Sequence, residues 1–365
     1  MNDDKYKFLI ACPQRASGGA ERVSVLLASE LVRQGHKVLY LQFFENEQDY
    51  PLDEKVDLIL LEMKARNPIF RKVERVIKTI RYVKSQDVDF VIPFLGKMVD
   101  LCFWATRFQK KKTFISTIRI NPEISPKNKI NRWWRNIICF LSDGVFVQNS
   151  EQRKYFPSFM QNKIFAVPNP INPEIEEKDY SLKCGKVKRI VTAGRLTKQK
   201  NHKLLIDAFN IIKNDFSDIQ LVIYGEGELK EELCKIVNND NQISLPGRVK
   251  TIQDHYRDGD IFVLSSDFEG MPNALMEAMA MGIPSISTNC PTGPSDIIDS
   301  FENGILISCN DLDGLVDALK YFILNSKETM EMGINGKKYI LTTYNAEAVT
   351  KKLIGECEKI RGNKL

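Results

Sequence analysis

The sequence predicts two doubly wound α/β domains, each built on a parallel sheet and facing each other across a cleft. Short apolar runs alternate with amphipathic, helix-like segments along the chain, which is the pattern of parallel strands joined by crossover helices. A chain of 365 residues is too long for one ordinary hydrophobic core and is long enough for two domains. Three prolines within 168–173 separate two such series. We expect domains at 1–170 and 171–345, with a helix over 346–365 packing back toward the first.

The first series opens with a strand over 7–12, a glycine-bearing turn and a helix around residues 23–31. The strand over 37–41 follows directly, so the chain begins as a β-loop-α-β unit typical of a parallel sheet. Further apolar runs bounded by polar segments predict strands at 57–61, 90–94, 113–117 and 144–148.

The second series predicts strands at 189–193, 220–224, 242–245, 260–264 and 285–288. Helices are expected over 203–214, 228–237, 272–281, 312–325 and 347–361. In the third of these helices, Pro272 suits the first turn and Gly282 suits the position just past the end. Ligands of such open sheets bind outside the carboxyl ends of the strands, so the loops there are the candidate sites.

Composition excludes several classes of protein. With 43% apolar and 27% charged residues, the chain can bury sizeable cores and is not a disordered protein. The longest apolar runs fall short of the about 20 residues that cross a bilayer, and the first residues are acidic where a signal peptide is basic. We therefore expect a cytoplasmic location. The eight dispersed cysteines form no CxxC pair, which favours reduced thiols.

Charge is unevenly distributed along the chain. Residues 1–170 carry 28 basic and 18 acidic residues, a net charge of +10, whereas the remainder carries −5. Basic residues recur at near-helical intervals over 64–84, and others flank Trp133 and Trp134. This pattern predicts peripheral contact with an anionic membrane, and the expected place is the inner face of the cell membrane. A solvated helix face explains the spacing equally well, and nucleic acid binding would use the same charge.

A candidate anion site lies in the stretch 265–284. The first turn of its helix presents the backbone N–H groups of Asn273, Ala274 and Leu275, which favour a phosphate. Glu269 precedes this helix and Glu277 lies in its second turn, where carboxylates can accept hydrogen bonds from sugar hydroxyls. The alternative makes Glu269 a turn residue and Glu277 part of a solvated face.

Two further groups support an anionic ligand. Gly194 ends a strand and is followed by Arg195 and Lys200, two cations that can neutralise a diphosphate and stabilise it as it departs. Gly18 and Gly19 follow the first strand and permit close backbone approach to an anion or a sugar. Taken alone, the two cations could be exposed residues of a surface loop. Taken alone, the two glycines could belong to an ordinary tight turn.

Together these motifs resemble those of the retaining, GT-B-fold glycosyltransferases of family four, the "glycosyl transferases group 1" type. The resemblance covers essentially the whole chain and is most specific in the second half. The motifs that carry it, in order, are Gly18-Gly19-Ala20-Glu21-Arg22, Gly194-Arg195-Leu196 with Gln199-Lys200-Asn201, Tyr224-Gly225-Glu226-Gly227, Glu269-Gly270 through Glu277-Ala278-Met279-Ala280, and Cys290-Pro291-Thr292-Gly293-Pro294.

The resemblance implies a role for each position. Arg195 and Lys200 would bind the diphosphate of a nucleotide-sugar, Glu277 the ribose, and Glu269 the transferred sugar. Gly18 and Gly19 would close over the diphosphate from the first domain, and the base would lie against 225–227 and 246–249. The other expected donor-binding positions are Gly194, Gly225, Gly227, Gly270, Met271, Asn273, Ala274 and Leu275.

Two positions depart from the family pattern. Family members often carry a histidine near the end of the fourth strand, whereas Arg119 is the candidate here, as in an arginine-asparagine variant of enzymes that build bacterial surface polysaccharides. Asp296 stands where a glutamate is usual. Whether Arg119 replaces the catalytic-centre histidine is left open by the sequence.

The family's retaining mechanism is front-face attack, in which the departing diphosphate takes the acceptor's proton. A glycosidase needs two carboxylates that flank the bond, and Glu269 and Glu277 more plausibly share one side. The sequence contains three Asp-x-Asp patterns, a pattern that can bind a metal ion, but aspartate is also common in turns. Arg195 and Lys200 already supply the positive charge that a metal would bring, so we expect no metal and no cofactor.

The predicted function is transfer of a hexose or N-acetylhexosamine from a UDP-sugar to a polyprenyl-diphosphate-linked saccharide, in capsule, O-antigen or exopolysaccharide biosynthesis. Its expected partners are therefore the nucleotide-sugar donor, this acceptor and the membrane, but not nucleic acid. The alternatives are a catalytically silent nucleotide- or glycan-binding module and a basic nucleic-acid-binding protein. A phosphorylase of similar shape lacks any marker of its pyridoxal cofactor here.

Overall fold

The computed structural model describes residues 5–16, 18–47, 49–177, 186–249 and 251–364. The chain divides into two compact units. Unit 1 comprises Met1–Pro170 and Ala346–Leu365, and unit 2 comprises Ile171–Asn345. Each unit contains one parallel sheet with helices on both of its faces.

The sheet of unit 1 has the strand order β3-β2-β1-β4-β5-β6-β7, and every pairing is parallel. The order reverses between β1 and β4, which is the switch point where doubly wound sheets bind ligands. The strands expected from the first series are present within one or two residues. They are β1 Lys7–Ala11, β2 Lys37–Gln42, β3 Asp57–Leu60, β4 Phe90–Pro93, β5 Thr113–Thr117 and β6 Gly144–Val147. A seventh strand, β7 Ile164–Ala166, was not expected.

Alternate residues of the central strands serve opposite faces of this sheet, because side chains along a strand alternate in direction. Ile10 packs in the core that α1 covers, whereas Leu9 packs in the core shared by α2, α3 and α4. The helices of this part of the chain are α1 Gly19–Arg33, α2 Pro68–Ser85, α3 Gly96–Thr106, α4 Lys129–Leu141 and the short α5 Ser150–Lys154.

Unit 2 contains a second parallel sheet, with the order β10-β9-β8-β11-β12-β13. Its strands are β8 Arg189–Ala193, β9 Gln220–Tyr224, β10 Ile243–Gly247, β11 Ile261–Leu264, β12 Ser285–Thr288 and β13 Ile305–Ile307. The helices are α6 Pro173–Glu177, α7 His202–Ile212, α8 Lys230–Val237, α9 Ile252–Tyr256, α10 Asn273–Ala280, α11 Pro294–Ile297, α12 Leu312–Leu324 and α13 Ser326–Thr343.

One helix boundary differs from the expectation in a way that matters for the site. Pro272 was expected inside the first turn of α10, but its ψ of 85° is not helical, so Pro272 precedes the helix and Asn273 begins it. The other end agrees with the expectation. Gly282 follows the helix with a φ of +81°, the left-handed conformation that glycine adopts without cost.

The final helix, α14 Ala346–Lys364, belongs to unit 1. Its apolar side chains complete the core on the α1 face; they are Val349, Leu353, Cys357 and Ile360. Ion pairs join its last turns to the sheet, with 2.8 Å between Arg361 and Asp89 and 2.8 Å between Lys364 and Asp143. Unit 1 is therefore assembled from both ends of the chain.

Two chemical features complete the description. The seven described cysteines are free thiols and five of them are buried, while Cys184 lies outside the described residues. Among the described helices, none combines the length and the apolar character needed to span a bilayer.

Candidate active site

Two loops at the carboxyl edge of the unit 2 sheet are joined by hydrogen bonds. The first loop, 194–201, follows β8, and the second, 265–272, follows β11. The Asp267 amide donates to the Gln199 carbonyl at 2.8 Å, and the Gln199 side chain donates to the Phe268 carbonyl at 2.8 Å. Asn201 donates to the Asp267 carboxylate at 3.0 Å. The two loops therefore hold each other in a fixed arrangement.

This arrangement places Lys200 against Glu269. The Lys200 ammonium donates to Oε1 of Glu269 at 2.6 Å, and the Ser266 hydroxyl donates to the same oxygen at 2.6 Å. The side chains of Lys200 and Glu269 are only 14% and 7% exposed. A turn-residue role alone would leave Glu269 solvated, so its burial in an ion pair favours the functional interpretation.

The backbone on either side of Glu269 is also fixed. The Glu269 amide donates to the Pro291 carbonyl at 3.0 Å. The Thr292 hydroxyl donates to the carbonyls of Glu269 and Gly270, both at 3.2 Å. Gly293 has a φ of +106°, and a Cβ there would lie 2.9 Å from the Gly270 carbonyl oxygen, which explains the need for glycine. The loop after β12 thus supports the segment that leads into α10.

The N-terminus of α10 carries no side-chain cap. Its first intrahelical hydrogen bond is donated by Met276 to the Pro272 carbonyl, so the amides of Asn273, Ala274 and Leu275 lie before the helical ladder. The positive end of the helix dipole lies at the same place. This end of the helix therefore has the backbone chemistry expected of an anion site.

Glu277 lies inside α10 and is buried, so the alternative of a solvated helix face is wrong. The Gln253 side chain, on α9, donates to Oε2 of Glu277 at 3.2 Å. Gln253 was missed by the sequence analysis, because it reaches Glu277 only through the packing of α9 on α10. The carboxylate is held in a defined position, which suits recognition of a diol.

The glycines at the ends of β8 and β9 permit close contact between backbones. The Gly194 amide donates to the Tyr224 carbonyl at 3.0 Å. A Cβ on Gly225 would lie 1.9 Å from the Gly194 carbonyl oxygen, and one on Gly227 would lie 2.3 Å from the Leu196 carbonyl oxygen. Both glycines are required by the structure itself, and their contact with a donor stays a prediction.

Arg195 differs from Lys200. Its side chain is exposed, and no ion pair or hydrogen bond joins it to another side chain in the part of the chain that the structure describes. His202, at the start of α7, is 3% exposed. Burial and the nearby charge of Lys200 lower the pKa of His202 to about 4. The structure therefore brings Lys200 and Glu269 into contact and leaves Arg195 extended into solvent.

The predicted residues of unit 1 lie at the carboxyl ends of its strands. Gly18 is the N-cap of α1 and Gly19 begins the helix. A Cβ on Gly18 would lie 1.9 Å from the Glu21 carboxylate, which is the end of a flexible side chain and can move aside. The φ of Gly18 is −114°, so the backbone of this turn does not itself require glycine.

Arg119 follows β5 and lies on the ring of Phe94, with 4.7 Å between its Cζ atom and the ring centroid. Its Nη1 donates to Oδ1 of Asn169 at 3.3 Å and to the Val167 carbonyl at 3.4 Å. Burial lowers the pKa of Arg119 to about 10. Asn169 was missed by the sequence analysis, because it reaches Arg119 only after folding and nothing in the local sequence marks it.

Aspartates of two Asp-x-Asp segments accept hydrogen bonds from backbone amides. Asp89 accepts a hydrogen bond from the Lys7 amide at 2.9 Å, and Asp260 accepts from the amides of Lys188 and Arg189 at 2.8 and 2.9 Å. Both carboxylates lie at the amino ends of strands, away from the edge that carries the candidate residues. Within the described ranges, no group of three or more histidine, cysteine or acidic side chains is arranged to hold a metal ion.

Comparison with known proteins adds the family. Residues 17–175 match the model of "Glycosyltransferase Family 4", and residues 174–339 match that of "Glycosyl transferases group 1". An Escherichia coli relative, the UDP-Gal:α-D-GlcNAc-diphosphoundecaprenol α-1,3-galactosyltransferase, is 32% identical over 317 residues, which cover 79% of this chain and 81% of the relative. The chain belongs to the group 1 glycosyltransferases of family 4. It is a glycosyltransferase with the GT-B fold.

Another relative agrees with this family, and two solved structures agree with the fold. A Campylobacter jejuni α-1,4-N-acetyl-D-galactosaminyltransferase, named for a diphospho-undecaprenol-linked acceptor, is 27% identical over 92% of both chains. The crystal structure of Anabaena HepE with UDP and glucose superposes with a TM-score of 0.78 at 14% identity, covering 96% of this glycosyltransferase and 98% of HepE. Staphylococcus aureus TarM with UDP gives a TM-score of 0.75 at 14% identity, covering 96% and 99%.

Proposed function

We propose that this glycosyltransferase moves a sugar from a UDP-sugar to a polyprenyl-diphosphate-linked saccharide in surface-polysaccharide biosynthesis, with retention of the anomeric configuration. The observation that carries the proposal is the buried pair of Lys200 and Glu269 beside the segment that begins α10. Relatives named for α-transfer to undecaprenyl-diphosphate-linked saccharides support the acceptor class. Structural neighbours solved with UDP support the donor class.

In unit 2, the donor diphosphate binds Lys200, Arg195 and the first amides of α10. Glu277, fixed by Gln253, accepts the ribose hydroxyls. Glu269 and the backbone of Gly270 and Met271 contact the transferred sugar, and the base lies against the turn that contains Gly225 and Gly227. Because Glu269 neutralises Lys200 before the donor binds, an incoming diphosphate shares the ammonium with that carboxylate.

In unit 1, the loops after β1 and β5 serve the acceptor and the reacting centre. Gly18 and Gly19 permit close backbone approach, and Arg119 supplies a cation at the end of β5. This division of labour makes residues 1–170 the acceptor-binding part and residues 171–345 the donor-binding part.

The reaction breaks the bond between the anomeric carbon and the β-phosphate oxygen, and the bonding electrons leave with the diphosphate. The acceptor hydroxyl attacks the same face, and its proton passes to the departing phosphate oxygen. Lys200, Arg195 and the amides at the start of α10 stabilise the negative charge that develops there. No protein nucleophile is required by this scheme.

A transfer assay tests the proposal. The full chain is incubated with UDP-glucose, UDP-galactose and their N-acetylated forms, together with a synthetic polyprenyl-diphosphate-linked monosaccharide, and the products are identified by mass spectrometry and NMR. We expect an α-linked product with at least one donor. Lys200→Met should abolish transfer, whereas Lys198→Met, an exposed change in the same loop, should not. A β-linked product or no transfer from any donor contradicts the proposal.

We also propose that unit 1 contacts the membrane through α2. The first ten residues of this helix expose five apolar side chains, and Ile69 and Phe70 are 70% and 67% exposed. Arg71 and Lys72 are exposed beside them. Apolar side chains flanked by cations suit the interface of an anionic bilayer, and about 1 kcal/mol is expected per cation near such a surface. The α2 patch comprises Ile69, Phe70, Val73, Val76 and Ile77.

The cytoplasmic leaflet supplies both the anionic charge and a lipid-linked acceptor. The enzyme is therefore proposed to act at the inner face of the cell membrane, without a spanning segment of its own in this scheme. Nucleic acid is not an expected partner, because the candidate phosphate site lies in unit 2 whereas the basic excess lies in residues 1–170.

A further inference from the structure

The guanidinium of Arg119 carries two buried hydrogen-bond donors. Its Nε and Nη2 atoms are inaccessible to solvent, and neither has a hydrogen-bond partner among the residues that the structure describes. The third nitrogen, Nη1, donates to Oδ1 of Asn169 and to the Val167 carbonyl. Burying polar groups without partners costs free energy, so such groups in a native fold call for an explanation.

The charge of this guanidinium is also uncompensated. Burial alone lowers the pKa of Arg119, with no opposing contribution from a carboxylate. Arginine remains protonated at neutral pH, so the guanidinium is a cation with no carboxylate partner in the part of the chain that the structure describes. An anion that binds here would remove that cost.

The guanidinium is held in one orientation before any ligand arrives. The guanidinium of Arg119 lies over the Phe94 ring, and its Nη1 donates to Asn169. The side chain of Gln148 donates to the same oxygen of Asn169 at 3.1 Å. The backbone N–H of Gln148 donates to the side-chain oxygen of Gln152 at 2.8 Å. This chain of hydrogen bonds fixes one side of Arg119 and leaves its other edge unused.

We propose that Arg119 binds a phosphate group through Nε and Nη2, and that Asn169 is its positioning residue. The N–H groups on these two atoms are parallel along one edge of the guanidinium, which matches two oxygens of a phosphate. The inference rests on the proposed function, which supplies two sources of this group. One is the diphosphate of the donor, and the other is the diphosphate of the lipid-linked acceptor.

Binding measurements on the full chain separate the two sources. UDP is the donor probe, and geranyl diphosphate, added with saturating UDP, is the acceptor probe. Arg119→Gln should weaken one of these ligands about 10- to 100-fold, as expected when charged hydrogen bonds are lost. Weaker UDP binding assigns the donor phosphate, and weaker geranyl diphosphate binding assigns the acceptor phosphate. Lys37→Gln, an exposed change at the amino end of β2, is the matched control.

Thermal unfolding of the unliganded protein separates a binding role from a structural one. Arg119→Met removes an uncompensated buried cation, so its melting temperature should equal or exceed that of the wild type. A structural role predicts a lower melting temperature and unchanged affinity for both ligands, and that result overturns the proposal.

Asn169 is tested by its effect on affinity relative to turnover. Asn169→Leu should raise KM for the ligand that Arg119 binds more than it lowers kcat, and Asn169→Gln, which keeps the carbonyl, should recover part of the loss. Equal binding by all Arg119 and Asn169 variants overturns the inference and leaves the proposed function intact. A wild-type protein that binds neither UDP nor geranyl diphosphate overturns both.

Discussion

The Lys200 ammonium and the Glu269 carboxylate lie 2.6 Å apart although 69 positions separate them in the sequence. Each residue comes from a loop at the carboxyl end of a different strand, β8 or β11. In the unliganded site, the charge of each side chain is neutralised by the other. It also couples the stability of unit 2 to the two side chains that the donor is proposed to use.

Removing one charge of this pair should destabilise the protein more than removing both charges. Lys200→Met leaves the Glu269 carboxylate buried with the Ser266 hydroxyl as its remaining side-chain partner, which should lower the free energy of unfolding by about 3 kcal/mol. The double variant Lys200→Met/Glu269→Gln removes both charges and should recover most of that loss. Sugar transfer should be absent from both variants, because neither retains the cation.

Urea unfolding and the transfer assay measure these two effects separately. A single variant as stable as the wild type would show that the pair is solvated in solution. Recovery of transfer in the double variant would show that Lys200 is not needed for the leaving group.

Gly225 should tolerate no side chain. Gly225→Ala places a Cβ against the Gly194 carbonyl and strains a φ of +147°, which alone costs about 1–3 kcal/mol. We expect lower stability and weaker UDP binding, measured by thermal unfolding and calorimetry. Gly355→Ala is the matched control, because a Cβ in that position of α14 meets open space and should stabilise the helix by about 0.5–1 kcal/mol. Equal effects of the two substitutions would contradict this explanation.

Stability should depend on pH through His202. Its pKa is about 4 in the folded protein, against a model-compound value of 6.5. Between these values the unfolded chain binds a proton that the folded chain does not, so stability falls as pH falls from about 6.5 toward 4. The contribution of one such group is at most about 1.4 kcal/mol per pH unit. His202→Asn should flatten the curve in this window, and parallel curves for variant and wild type would refute the assignment.

The α2 patch should govern binding to vesicles. The double variant Ile69→Ser/Phe70→Ser should weaken sedimentation with phosphatidylglycerol vesicles about tenfold, because two apolar side chains no longer enter the interface. Raising the salt concentration should weaken the wild type as well, since screening reduces the contribution of Arg71 and Lys72. Leu324→Ser is the control, a similarly exposed apolar residue (69%) in unit 2. Unchanged binding by the double variant would exclude α2 as the contact.

Most of the strands could be predicted from the sequence, because each is a short apolar run between polar turns. The edge strands β7 and β13 were not predicted, since three residues are too few to show a pattern. The site residues on the loops after β8 and β11 could be predicted for a related reason, since parallel strands bring their carboxyl ends to one edge. Lys200 and Glu269 are the two that the structure brings into contact. The family resemblance supplied their expected roles, which composition and spacing alone do not give.

Other features depend on contacts that the local sequence does not encode. Gln253 and Asn169 matter because of the partners they reach after folding, and isolated amide side chains carry no such signal. Helix α13 was not predicted, because Gly333 and Gly336 interrupt its pattern. The structure explains Gly333, whose Cβ would lie 2.4 Å from the Gly282 carbonyl oxygen. Close backbone packing overrides helix propensity there.

The placement of α14 has a consequence for synthesis on the ribosome. Unit 1 needs Leu353 and Ile360 to complete the core beside α1, and these residues are translated after all of unit 2. The first sheet therefore emerges with its apolar face beside α1 covered only in part, and stays so while 175 further residues are made. Unit 2, whose residues are contiguous, can fold before unit 1 is complete, so we expect the nascent amino-terminal half to expose apolar surface for longer.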